Sequence, residues 1–266
     1  MLEDTMLEDT QRSALASALA EAHRTGTPIP QPSAAHPGMD LDDAYAVQRL
    51  QIEEWVGSGD AVVGYKIGRT SRAMQDQFGV REPDFGVLTR SGLLLSGAPV
   101  DTGRFIAPKI EPEIAVVLGQ DLAGPGVTAL QALAAIDHAL ASLEIIDSRV
   151  ADWRITVVDS VADNASFGAA AFGTRRIRWD DFDPVLTGCV LEVDGRTVAS
   201  GAGGAVLGNP LNALVWLANE LGARGTVMRA GSAIMLGSVC AAVPVAAGQV
   251  VRAEFAGLGA VTLPFE

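Results

Sequence analysis

The chain has 266 residues, 48% of them hydrophobic, enough to bury a sizeable core in one large domain or in one domain with a small helical appendage. A net charge of −13, from 32 acidic against 19 basic residues, with no Lys/Arg cluster beyond Arg175, Arg176 and Arg178, argues against a nucleic-acid partner. The acidic first residues lack the apolar run of a signal peptide, and Cys189 and Cys240 stand apart in apolar surroundings, as free thiols in a reducing cytoplasm do.

The opening Met-Leu-Glu-Asp-Thr occurs twice in tandem, to which no structural meaning is attached. Leu7 to Ala22 is alanine-rich and predicts a first helix. The four prolines between Thr25 and Gly38 predict an extended connector. Asp40 can cap a second helix to about Val56, with Leu41, Ala44, Tyr45, Val47 and Leu50 as its apolar stripe. Strand-prone runs follow at Val62 to Gly68, Leu93 to Leu95 and Ile114 to Leu118. Thr128 can cap a helix to about Ala141, which would place His138 on that helix, ahead of a strand at Leu143 to Ile146. Val190 to Ala199 predicts a hairpin around Asp194-Gly195, a pair suited to a type I′ turn. Asn209-Pro210 opens a helix that Gly222 would end. Ala230 to Val251 is uncharged, but its glycines, Pro244 and polar residues suit two short strands and a loop better than a membrane span. Val250 to Phe255 and Ala260 to Phe265 predict a last hairpin. Helices cluster early and strands dominate later, so the class is α+β: a helical region over 1–60 and a β-rich domain over 61–266.

The sharpest chemical feature is Pro108-Lys109-Ile110-Glu111-Pro112-Glu113-Ile114. On a strand, residues two apart share a face, so Glu111 and Glu113 would repel each other unless a cation lay between them. The alternative is an edge strand with a solvated acidic face, which Pro112 would suit. Glu144, flanked by aliphatic residues, is a third acid that must be paired or ligating. Three carboxylates suit Mg²⁺ or Mn²⁺ better than zinc, and His23, His36 and His138 do not cluster with them. Only two of the 19 basic residues are lysine. Lys66 lies in Gly-Tyr-Lys-Ile-Gly, where burial can bring a lysine pKa into a working range; Lys109 has the weaker case and is expected to face outward. Glu82 to Gly86 reads as a turn carrying an acid, and Asp163 to Ser166 as a turn or cap. The glycines of Gly201 to Gly204 match no nucleotide-binding pattern.

From about Leu41 to the C-terminus these segments together resemble the 2-keto-4-pentenoate hydratase family, in the hydratase/decarboxylase branch of the fumarylacetoacetate hydrolase superfamily. The carriers are Gly64 to Gly68, Glu82 to Gly86, Pro108 to Glu113, Leu143 to Arg149, Ala162 to Ser166, Val206 to Pro210 and Gly257 to Gly259. Leu236 stands where many relatives have threonine. The resemblance implies a mixed β-roll core behind an N-terminal helical region, in a cytoplasmic homo-oligomer with a related decarboxylase or a downstream aldolase as candidate partners. It implies Glu111, Glu113 and Glu144 as ligands of Mg²⁺ or Mn²⁺, Lys66 and Asp84 in proton transfer, and Asn164, Ser166 and Ser238 at the substrate. The implied reaction is metal-dependent hydration of 2-hydroxypenta-2,4-dienoate, a small 2-oxo acid in its enol form, to 4-hydroxy-2-oxopentanoate, as in meta-cleavage of aromatic rings. Two alternatives stand beside it: 4-oxalocrotonate decarboxylation, and a non-catalytic partner subunit.

Overall fold

Alanine enters a helix at little entropic cost, and the alanine-rich opening forms α1 (Asp9–Thr25), closed by Gly26 in the left-handed region at φ 66°. The computed structural model describes residues 6–72, 75, 76, 79 and 82–266; the first copy of the tandem repeat lies outside them. The connector is not wholly extended. It contains one helical turn, α2 (Pro32–Ala35), where the missing N–H of Pro32 falls at the first helical position and leaves no donor unsatisfied. Asp40 caps α3 (Leu41–Gly57) by accepting from Asp43 N, a contact worth about 1 kcal/mol. Ala44, Tyr45 and Val47 are buried on α3 as the stripe predicts, and so are Gln48 and Gln51. Gln48 Nε2 donates to Phe85 O and Val161 O, and Gln51 Nε2 to Ala162 O, so this helix holds two segments of the site described below.

The strands are β1 (Val62–Gly68), β2 (Asp84–Thr89), β3 (Leu93–Leu95), β4 (Lys109–Leu118), β5 (Ile136–Ile146), β6 (Phe167–Phe172), β7 (Gly188–Val193), β8 (Arg196–Ala202), β9 (Ala233–Ser238), β10 (Val243–Pro244), β11 (Val250–Phe255) and β12 (Gly259–Pro264). Further helices among the described residues are α4 (Ala129–Ala135), α5 (Val157–Ala162) and α6 (Pro210–Ala223). The larger sheet runs β2-β1-β9-β4-β5-β6-β3, with β10 also on β4; the smaller runs β12-β11-β7-β8. The β1–β9 and β3–β6 pairs are parallel and the others antiparallel, which makes this the mixed α+β roll expected. Alternation on β5 assigns its two faces. Ala139, Ala141, Leu143 and Ile145 join Val251, Ala253, Val261 and Leu263 of the smaller sheet in the main core, while Ser142 and Glu144 face the other way. On that second face Leu88, Ala115, Phe167, Ala170 and Met235 form a small apolar cluster of their own.

Three readings are corrected. The helix after Thr128 ends at Ala135, and His138 lies on β5: pairing of Ile136 to Ala141 with β4 on one edge, and the Ala139–Ile177 bridge on the other, outweighs the helix propensity of the alanines. Asp84 is not on a surface turn but opens β2, buried at 2% exposure. Finally, β4 is not an edge strand, since it lies between β9 and β5. Pro112 is tolerated there because its C=O accepts from Val239 N, so its missing N–H faces the gap where the neighbour of β4 changes from β9 to β10. Among the described residues no helix is long and apolar enough to cross a membrane.

Candidate metal centre and cavity

Antiparallel register brings the three acids together. Glu111 on β4 stands directly opposite Glu144 on β5, and Glu113 follows two residues on, opposite Ser142. One oxygen from each of the three carboxylates lies within 4.8 Å of the others. Glu113 and Glu144 are 1% and 0% exposed, and Glu144 offers two buried oxygens that no hydrogen bond satisfies. Glu113 Oε2 accepts from Gly237 N at 2.8 Å. A side chain at Gly237 would collide with Thr70, and its φ of 115° belongs to the region that favours glycine. Burial and the charge of Glu144 push Glu111 up to about 7, and burial with mutual repulsion raises Glu113 as well. Burial also raises Glu144, against the pull of Lys66. Three crowded carboxylates with orphaned oxygens form a hard donor set, and they fit a divalent cation.

Lys66 on β1 reaches the same cluster, with Nζ 3.2 Å from Glu144 Oε1. Burial alone would lower this ammonium, but Glu144, Asp84, Glu111 and Glu113 outweigh it and hold Lys66 above its ordinary range. That is the opposite of the lowering expected from sequence. Asp84, at the start of β2, pairs with Gly68; a Cβ at Gly68 would lie 2.1 Å from Asp84 Oδ1 and 3.5 Å from Lys66 Nζ. Asp84 Oδ2 lies 3.1 Å from Arg69 Nε.

Beside these groups lies a cavity of about 700 Å³, lined by Lys66, Arg69, Asp84 and Glu111, by Ser166 and Ser238, and by an apolar wall that includes Trp153, Ile155 and Val157. Lys109 also lines it, with Nζ 4.0 Å from the Trp153 ring centroid, so it does not face away as expected. Ser238 Oγ donates to Cys240 O at 2.7 Å. The Asn164 amide accepts from Val87 N and donates to Val87 O, pinning β2. Asn164, Ala165 and Ser166 have successive positive φ values of 50°, 51° and 56°. Non-glycine residues hold that shape only when their surroundings impose it. Here Arg149 imposes it, through Asp163 Oδ1, Asp163 O and Phe167 O. His138 is away from the cluster and pairs with Asp137 at 2.7 Å. Both cysteines are free; Cys189 is buried, and Cys240 is half-buried at the cavity.

Sequence reasoning missed Arg69, the Arg149–Asp163 latch and the two glutamines of α3. The strong arginine bias of the chain masked the first two. The glutamines fall inside the expected buried face of α3, which was the available signal.

Comparison with known proteins agrees with this architecture. The model of the fumarylacetoacetate (FAA) hydrolase C-terminal family matches residues 56–265. The chain is 41% identical over 256 residues to a 2-keto-4-pentenoate hydratase of Paraburkholderia xenovorans strain LB400, covering 96% of this chain and 95% of the relative. It is 39% identical to a 2-hydroxyhexa-2,4-dienoate hydratase of Comamonas testosteroni over 99% of both. Among solved structures, 4-oxalocrotonate decarboxylase from Pseudomonas putida G7, complexed with magnesium and adipate, superposes with a TM-score of 0.95 at 38% identity, over 98% of this chain and 99% of that one. With a family match over most of its length and relatives near 40% identity, this chain belongs to the 2-keto-4-pentenoate hydratase family of the fumarylacetoacetate hydrolase superfamily.

Proposed function

We propose that the protein hydrates 2-hydroxypenta-2,4-dienoate, or a close analogue, to 4-hydroxy-2-oxopentanoate. The observation that carries this reading is the juxtaposition of three crowded carboxylates with one buried lysine, Lys66, 3.2 Å from Glu144. Glu111, Glu113 and Glu144 would hold Mg²⁺ or Mn²⁺, which when bound supplies Lewis acidity to the 2-oxygen of the substrate. Lys66 delivers a proton to C5 and takes up the one that leaves the 2-hydroxyl, giving the 2-oxo-3-enoate. Water then adds its oxygen at C4, conjugate to the ketone; Asp84 takes the proton released and passes it to C3, which completes the product. Ser166 and Ser238 offer hydroxyls along the cavity, and Trp153, Ile155 and Val157 give the uncharged tail an apolar wall. The acting form is a homo-oligomer.

Decarboxylation of 4-oxalocrotonate is the second reading. It is favoured by Lys109, a cation at the cavity wall that a second carboxylate could meet, and by the 38% identity to the decarboxylase. An ultraviolet assay with freshly generated 2-hydroxypenta-2,4-dienoate and Mg²⁺, with and without EDTA, separates them. Mg²⁺-dependent loss of the dienol with 4-hydroxy-2-oxopentanoate as product supports hydration; no turnover, with CO₂ released from 4-oxalocrotonate, overturns it in favour of decarboxylation.

A further inference from the structure

One charged group of the cavity has no part in the scheme above. The Arg69 side chain is 6% exposed, and neither its Nε nor its Nη1 finds a hydrogen-bond acceptor. Asp84 Oδ2 lies 3.1 Å from Nε but out of hydrogen-bond alignment, and Asp84 Oδ1 has no donor either. A buried guanidinium with idle donors is costly unless a ligand satisfies them. Its backbone is held in place: Arg69 adopts φ 55°, Gln75 Nε2 donates to Arg69 O at 3.1 Å, and Leu207 N donates to Thr70 O at 3.0 Å.

Charge points to the same residue. The cavity and the cluster behind it carry the carboxylates of Glu111, Glu113, Glu144 and Asp84 against the cations Lys66, Arg69 and Lys109. A divalent ion turns that deficit of one into a surplus of one, which a monoanionic substrate matches and a dianionic one exceeds. Removing Arg69 abolishes the surplus.

We infer that Arg69 is a substrate-binding residue, whose free guanidinium N–H groups receive the carboxylate of a monoanionic 2-oxo acid. The inference deepens the hydratase reading and rests on it for the substrate class. A bidentate or charge-assisted contact of this kind contributes selectivity for the acid over its uncharged analogues.

The test is calorimetric titration of the Mg²⁺-saturated full chain with 2-oxopentanoate, a saturated acid that cannot take up water, and with 1-hydroxypentan-2-one, which lacks the carboxylate. Arg69→Met is expected to raise the Kd for 2-oxopentanoate by about 10-fold or more. Arg69→Lys should recover part of the loss, and both variants should bind Mg²⁺ as the unaltered protein does. In steady state KM rises more than kcat falls. Unchanged 2-oxopentanoate affinity in Arg69→Met overturns the proposal, as does an equal loss for both ligands, which would place Arg69 in packing alone. Should circular dichroism show Arg69→Met unfolded, Arg69→Gln is read by the same criteria. If the unaltered protein hydrates no dienol yet loses 2-oxopentanoate binding on Arg69→Met, the hydratase reading falls and the role of Arg69 stands.

Discussion

Arg149 with Asp163, and Lys66 with the carboxylates around it, are two buried charge clusters on neighbouring strands and turns, and they are built on opposite rules. Arg149 is saturated: its Nε, Nη1 and Nη2 donate to Asp163 Oδ1, Phe167 O and Asp163 O, and its own N–H to Asp163 Oδ2. Burial still pushes the Asp163 carboxyl up to about 6, against the pull of Arg149. The Lys66 cluster holds more acids than bases and leaves both oxygens of Glu144, one of Asp84 and two nitrogens of Arg69 without hydrogen bonds. Saturated buried charge fixes a shape, here the left-handed turn from Asn164 to Ser166. Unsaturated buried charge is retained against its own cost and marks where something else must bind.

That contrast yields predictions of opposite sign for similar substitutions. The largest effect is expected for Arg149→Leu, which strands Asp163 and should remove about 3–5 kcal/mol of stability, read by urea unfolding. A loss below about 1 kcal/mol would break the contrast. Glu113→Gln should do the reverse in EDTA-treated protein. It relieves repulsion while still accepting from Gly237 N, so stability holds or rises, yet turnover with Mg²⁺ should fall about 10³-fold, the several kcal/mol that metal assistance contributes. Lys66→Met should lower kcat about 100-fold while Mg²⁺ affinity survives; near-full turnover would remove Lys66 from proton transfer.

The smallest and most diagnostic effect is with pH. Burial and repulsion raise Glu111 to about 7 and raise Glu113 and Glu144 above the ordinary carboxylate value near 4.5. The folded chain therefore binds more protons than the unfolded one across that window. The contribution of these groups is fully present below about 4.5 and is lost as pH rises through about 7. The Tm of EDTA-treated protein should thus fall over this interval relative to Glu113→Gln. The increment from added Mg²⁺ should grow over the same interval, because the cation needs the ionised carboxylates. A flat increment would contradict the clustering.

Much of this was legible in sequence for physical reasons. Glu111, Glu113 and Glu144 interrupt aliphatic runs where a charge needs a partner, and period-two spacing placed the first two on one face. Asp194-Gly195 and Asn209-Pro210 carry local turn and cap chemistry that tertiary context leaves intact, and β7, β8 and α6 appear where they predict. The errors share one cause. Ile136 to Ala141 has helical composition but is strand because β4 pairs with it on one side and Ile177 bridges Ala139 on the other, and Asp84 is buried because β1 pairs with β2. Neither pairing partner is visible in a local window. The latch of Arg149 on Asp163 joins residues 14 apart whose proximity depends on a left-handed turn that no periodicity announces.

The central claim is that Glu111, Glu113 and Glu144 form one metal site. Calorimetric titration of EDTA-treated protein with Mg²⁺, beside Glu144→Gln, tests it most directly. One Mg²⁺ bound per chain, with affinity lost in the variant, is the result predicted; no binding, or the same affinity in Glu144→Gln, would contradict it.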